Sequence, residues 1–157
     1  PKITDVMPYV GYTYDTPVND MRSQVLEVFG SGAQGILFWA YPHMDGGELC
    51  QIVEGLNAVA KVEDILADGR PIPGVKAEPE GANVAVVGGE TGPVVLLVSW
   101  YKPVMPITVT LPFPVAGDVV DLLTGETVIK LDAPSTVLTF PKIEGGARLY
   151  RCERKII

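Results

Sequence analysis

The chain has 157 residues, of which 47% are hydrophobic and 20% charged, so it is a globular chain of one medium domain or two small units and not a disordered one. A net charge of −7 repels phosphate backbones, and the single basic stretch, residues 148–155, is short; this excludes nucleic acid as a partner. Apolar runs such as residues 94–98 are far too short to cross a bilayer, which excludes a helical membrane span.

Residues 7–14 read as a strand, because Val10, Tyr12, Thr13 and Tyr14 favour extended backbone. Thr16 and Pro17 then mark a helix start: Thr16 can cap, and Pro17 at the first helical position loses nothing by lacking an N–H. Met21, Val25, Val28 and Phe29 follow at helical spacing, and Gly30 and Gly32 supply the stop. Residues 35–41 (GILFWAY) form a continuous apolar run, the pattern of a parallel strand covered on both faces. Asp45 and Glu48 are spaced as a capping box for the next helix. Leu49, Ile52, Val53, Leu56, Val59 and Ala60 mark one face of that helix, which is expected to run to about Leu66 and stop at Gly69. The order is strand, helix, strand, helix, with connections short enough for βα units.

The pattern changes near residue 70. Gly69, Pro71, Pro73, Gly74 and Pro79 resist both helix and ladder, so residues 71–82 are the expected linker between a first unit over 1–70 and a second over 83–157. Beyond it, strands are expected at 83–87, 94–101, 107–111, 119–122, 127–131, 136–140 and 148–152, with residues 123–126 (LTGE) as a turn. The run at 107–111 (ITVTL) alternates as a strand with one wet face does. Evenly spaced strands punctuated by Gly and Pro predict an antiparallel β-sandwich.

Two βα units cannot cover the strand at 35–41 on both faces, and a two-stranded parallel pair leaves two open edges. At roughly 25 cal/mol per Å² of apolar surface, a wet strand of this kind costs several kcal/mol. The remainder of a sheet, from the same or another chain, is the expected partner. Pro1–Asp5 lacks a basic stretch followed by an apolar core, so the start does not read as a signal peptide, and Pro at the first position reads as a processed or truncated chain. Cys50 and Cys152 are expected to be buried and free, or to pair if the fold joins them. None of Asn19, Asn57 and Asn83 is an N-glycosylation acceptor, and the compartment stays open.

A strand ending in Tyr12-Thr13-Tyr14-Asp15, a helix, then a Gly-Ile-Leu-Phe-Trp-Ala-Tyr strand with its helix resembles the last two βα units of a glycoside hydrolase β/α barrel. The second half resembles the β-sandwich that often follows such barrels, with residues 94–100, 107–111 and the 120–126 turn as the telling pieces. The resemblance is one of pattern over nearly the whole chain. It implies α/β plus all-β architecture, a carbohydrate ligand, no cofactor and a site at the carboxyl ends of the strands. Carried onto this chain, that face holds Tyr14 and Asp15 after one strand, and Trp39, Tyr41, His43 and Asp45 after the next. Trp39 stands where such enzymes commonly place the aromatic floor under a sugar ring.

Glycoside hydrolysis needs two carboxylates flanking the bond. This chain offers Asp15, where many such families carry Glu at the seventh strand, and Asp45; the acid/base commonly comes from an earlier strand. Each candidate also has a plain structural explanation. Asp15 can assist the following helix start, Asp45 with Glu48 can be a capping box alone, and Trp39 can be a core aromatic. His43, the single histidine, has no Cys, His or Asp cluster at metal spacing beside it, so no metal is expected. Trp100 and Tyr101 can form a sugar platform or belong to a sandwich core. The competing functional expectation is a non-catalytic carbohydrate-binding or scaffold module. An open doubly wound sheet is disfavoured, because neither strand is followed by a Gly-rich phosphate turn.

Overall fold

The computed structural model describes the backbone of residues 9–10 and, with side chains, residues 21–38, 45–101, 105–141 and 146–155. Two short strands, β1 (Tyr9–Val10) and β2 (Leu37–Phe38), pair parallel in the register Tyr9 to Leu37 and Val10 to Phe38. Between them lies α1 (Met21–Gly30), and after β2 comes α2 (Gly46–Ala60). The expected strand–helix–strand–helix order is therefore present, with a parallel pair. Thr16 and Pro17, the expected start of the first helix, lie outside the described residues.

The stop of α1 follows from its glycines. Gly32 has φ +94°, its amide donates to Phe29 O at 2.9 Å, and the Ala33 amide donates to Val28 O at 3.2 Å. Those two bonds satisfy carbonyls that the helix end would leave orphaned. The second helix ends earlier than expected. α2 stops at Ala60, and a separate α3 (Glu63–Asp68) follows. Gly69 ends α3 with φ −70°, so conformational freedom is not what it supplies. It supplies space: a Cβ there would stand 2.4 Å from Ile65 O and 3.1 Å from Gly88 Cα.

The rest of the chain is mostly antiparallel sheet, compatible with a β-sandwich. Its strands are β3 (Arg70–Pro71), β4 (Lys76–Glu78), β5 (Asn83–Gly88), β6 (Pro93–Trp100), β7 (Ile107–Asp121), β8 (Thr127–Phe140) and β9 (Gly146–Arg154). They run in the order β3-β5-β6-β9-β7-β4, with β8 also paired to β7.

Two expectations are corrected here. The Pro/Gly-rich stretch does enter the ladder: Pro71 pairs with Val87, and Ala77 pairs with Val109. Both pieces are short edge strands, and in β3 the missing N–H of Pro71 is tolerated because an edge strand has one unpaired side. The four strands expected at 107–111, 119–122, 127–131 and 136–140 are two long ones. Pro112 and Pro114 fall in a register shift between Thr110 and Val115 of β7, and Pro134 falls in the complementary shift on β8. A bulge accommodates the missing donors and bends both strands, so pairing resumes beyond it.

The bend lets the sheet close over a core. On β6, Val94, Leu96, Val98 and Trp100 face one cluster with Ile107, Val109, Leu111 and Phe113 of β7 and Leu138 and Phe140 of β8. Phe140 stacks on Tyr150 of β9, ring centroids 4.5 Å apart. The opposite face of β6, Val95 and Leu97, joins Leu149 and Val87 under Val25, Leu26, Ile52, Val59 and Leu66 of the helices. Alternation thus gives β6 two buried faces. Polar bonds reinforce the junction: the Ala147 amide donates to Ser23 Oγ at 3.0 Å, Ser99 Oγ donates to the Glu27 carboxylate, and Lys61 Nζ donates to Leu122 O at 2.6 Å. Contact with the sheet runs through α1 and α3 as well as the end of α2.

β2 and α2 leave apolar side chains exposed. Leu37 and Val53 are each 55% exposed and Leu56 is 38% exposed. Among the described residues no helix is long and apolar enough to cross a membrane.

Candidate functional site

Parallel pairing puts the carboxyl ends of β1 and β2, at Val10 and Phe38, on the same edge. Each strand is followed in chain order by a helix, β1 by α1 and β2 by α2. Tyr14, Asp15, Trp39, Tyr41 and His43 follow those ends in sequence and lie outside the described residues.

Asp45 is described. It is the N-cap of α2 in extended backbone, φ −83° and ψ 175°. Its Oδ1 accepts the Glu48 amide at 2.9 Å, and Glu48 Oε2 accepts the Asp45 amide at 3.0 Å. The expected capping box is complete; Asp45 is exposed and Glu48 half-buried. The arrangement satisfies two orphan helix amides and places negative charge where the helix dipole favours it. That accounts for Asp45 without any catalytic role.

The described residues hold two further polar features that sequence reasoning did not single out. The first is Asp121, buried at the end of β7. Its Oδ1 accepts the Leu123 amide at 2.8 Å, and its Oδ2 lies 3.8 Å from Arg148 Nε. With Gly125 at φ +77°, it shapes the turn into β8, and its chemistry is structural. Burial and the Asp121 charge raise the Tyr150 phenol above its ordinary value, with Arg148 opposing them.

The second is a surface depression of about 300 Å³ where the β5–β6 turn, the bulge of β7 and the end of β9 meet. Glu90, Thr91, Pro112, Phe113, Pro114, Arg154 and Lys155 line it. Arg154 lies over the Phe113 ring, 4.4 Å from its centroid, and its Nη1 donates to Gly89 O at 3.1 Å. These residues come from three separate parts of the chain, so no local pattern could have grouped them; the Pro-Phe-Pro triplet was the one visible mark.

Trp100 is 3% exposed and belongs to the sheet core, which removes it as a sugar platform; Tyr101 is exposed. Cys50 is exposed, Cys152 is buried, and the two are free, so the expectation holds for Cys152 alone in respect of burial. Among the described residues no group of three or more His, Cys, Asp or Glu side chains is placed to hold a metal ion.

No family model and no curated protein matches the chain. Among solved structures it is similar to alpha-L-fucosidase isoenzyme 2 from Paenibacillus thiaminolyticus, with 13% identity and a TM-score of 0.39. The match covers 77% of this chain and 21% of that one, so the chain spans about a fifth of that protein's length. At this level of similarity a functional reading has to stand on the residues themselves.

Proposed function

We propose that this chain is the C-terminal portion of a glycoside hydrolase-like protein. Its first 70 or so residues contribute two βα units to a sugar-binding barrel face, and the sheet that follows is an accessory β-sandwich. The observation that carries this reading is the in-register parallel pairing of β1 with β2, each strand followed by a helix. On this reading Tyr14, Trp39, Tyr41, His43 and Asp45 border the sugar, and Asp15 is the catalytic candidate. The remainder of the barrel is the partner that meets the exposed Leu37, Val53 and Leu56 surface.

The capping role of Asp45 favours a second reading, in which these units belong to a non-catalytic carbohydrate-binding or scaffold module. Activity separates the two. Asp15 alone cannot serve both sides of a glycosidic bond, and loss of a general acid costs roughly 10²–10⁴-fold in rate. The purified chain is therefore expected not to turn over aryl glycosides. In the full-length protein, Trp39→Ala is expected to weaken sugar binding by roughly 1–3 kcal/mol, the scale of a large aromatic contact. Robust turnover by the isolated chain would refute the catalytic assignment, and unchanged affinity in the variant would return Trp39 to the core. An active full-length protein excludes the scaffold reading.

A further inference from the structure

We propose that the depression between the β5–β6 turn, the bulge of β7 and the end of β9 binds a single carboxylate-bearing sugar, a uronic acid residue. This site is separate from the strand-end face and does not depend on the reading given for it.

The cation is in place before a ligand arrives. Arg154 is fixed at two points, by the Phe113 ring at 4.4 Å and by Gly89 O at 3.1 Å. A guanidinium has five N–H donors in a planar fork, and one bond to Gly89 leaves others for a carboxylate. Holding the side chain beforehand removes much of the rotamer cost of binding. Lys155 stands beside it, on backbone anchored to β7 by its own amide, which donates to Pro114 O at 3.0 Å. Pro112 and Pro114 make the wall stiff.

Charge and size select the ligand. The chain carries −7 overall, so a pair of adjacent cations attracts an anion only locally. Glu90 sits in the same wall and offsets one of the two cations, so the site favours a single negative charge over an acidic peptide or a polyanion that carries many. A carboxylate in that position instead accepts hydrogen bonds from hydroxyls, and the Thr91 hydroxyl can donate or accept. One negative group beside several hydroxyls is the description of a uronic acid. About 300 Å³ is the low end of ligand-site volumes and suits one sugar ring. Because Arg154 already covers the Phe113 ring, recognition runs through charge and hydrogen bonds, not ring stacking, and it should weaken with salt.

The test is amide chemical-shift titration of the whole chain with methyl galacturonoside. Methyl galactoside, propionate and a Glu-rich peptide serve as comparison ligands. Saturable shifts centred on Glu90, Thr91 and Arg154 are expected with the uronate. Affinity should fall about tenfold in Arg154→Gln and several-fold in Lys155→Ala, with both variants retaining the wild-type spectrum elsewhere. The comparison ligands should bind at least about tenfold more weakly. No shift at up to about 50 mM uronate would overturn the proposal, as would binding that survives both substitutions. Equal binding of the neutral sugar or of propionate would also overturn it. Tighter binding of the peptide would replace the sugar with an acidic peptide.

Discussion

Gly55 lies in the middle of α2 where that helix crosses α1, and alanine at Gly55 and at Gly46 of the same helix is predicted to have effects of opposite sign. A Cβ at Gly55 would stand 2.9 Å from Val25 Cβ, 3.0 Å from Val25 Cγ1 and 3.2 Å from Arg22 O. Val25 is fully buried, and a Cβ and a backbone oxygen cannot swing away as the end of a long side chain can. Alanine gains about 1 kcal/mol of helix propensity over glycine. Overpacking a buried contact costs typically about 1–3 kcal/mol. Steric cost wins, so Gly55→Ala should destabilise the chain by about 1 kcal/mol net, a fall of roughly 2–4 °C in Tm for a chain of this size. Gly46, in the first turn of the same helix, has nothing within 4 Å of its Cβ position, so Gly46→Ala should stabilise by a few tenths of a kcal/mol, the propensity gain being smaller near a helix end. Urea unfolding followed by far-UV circular dichroism measures both. Gly55→Ala as stable as Gly46→Ala would mean that the helices do not cross at Gly55, and the α1–α2 layer beside the candidate strand ends would have to be redrawn.

Other consequences are equally specific. Ser23→Ala orphans the buried Ala147 amide and should cost about 1–3 kcal/mol, with faster hydrogen exchange at Ala147; unchanged stability and exchange would remove this clasp between helix and sheet. Burial, with the Glu153 charge second, pushes the Cys152 thiol from 9.0 up to about 12. The folded state therefore keeps a proton that the unfolded state releases above pH 9.0, so stability is full below that pH and declines as pH rises towards about 12, by roughly 1.4 kcal/mol per unit. Unfolding at pH 8 and pH 10.5 tests this, and Cys152→Ala should flatten the decline; a wild-type curve no steeper than the variant's would contradict it. In the native chain at neutral pH a thiol reagent should modify Cys50 and spare Cys152 until denaturant is added, and equal rates would show that β9 is not packed as described.

What the sequence by itself determined is local. The capping box of Asp45 and Glu48, the Gly32 stop and the 123–126 turn formed as expected, because each is held by partners within a few residues, and the alternation at 107–111 follows from the two-residue period of a strand. The parallel pairing of β1 and β2 was legible too, since a strand, a helix and a second strand over a short span leave few other arrangements. Tertiary structure decided the rest. Prolines that break an isolated strand sit in bulges of β7 and β8, because the neighbouring strands pay out enough pairing on either side to carry the ladder through. Residues 70–71 and 76–78 entered the sheet because partners near residues 87 and 109 were waiting for them. Trp100 went inward because alternation on a strand buried on both faces aimed it at the closed core. The depression at Arg154 exists only because segments far apart in the chain, near 90, 113 and 154, meet at one end of the sheet. Contacts at such separations depend on how the whole chain closes, and no window of neighbouring residues contains them.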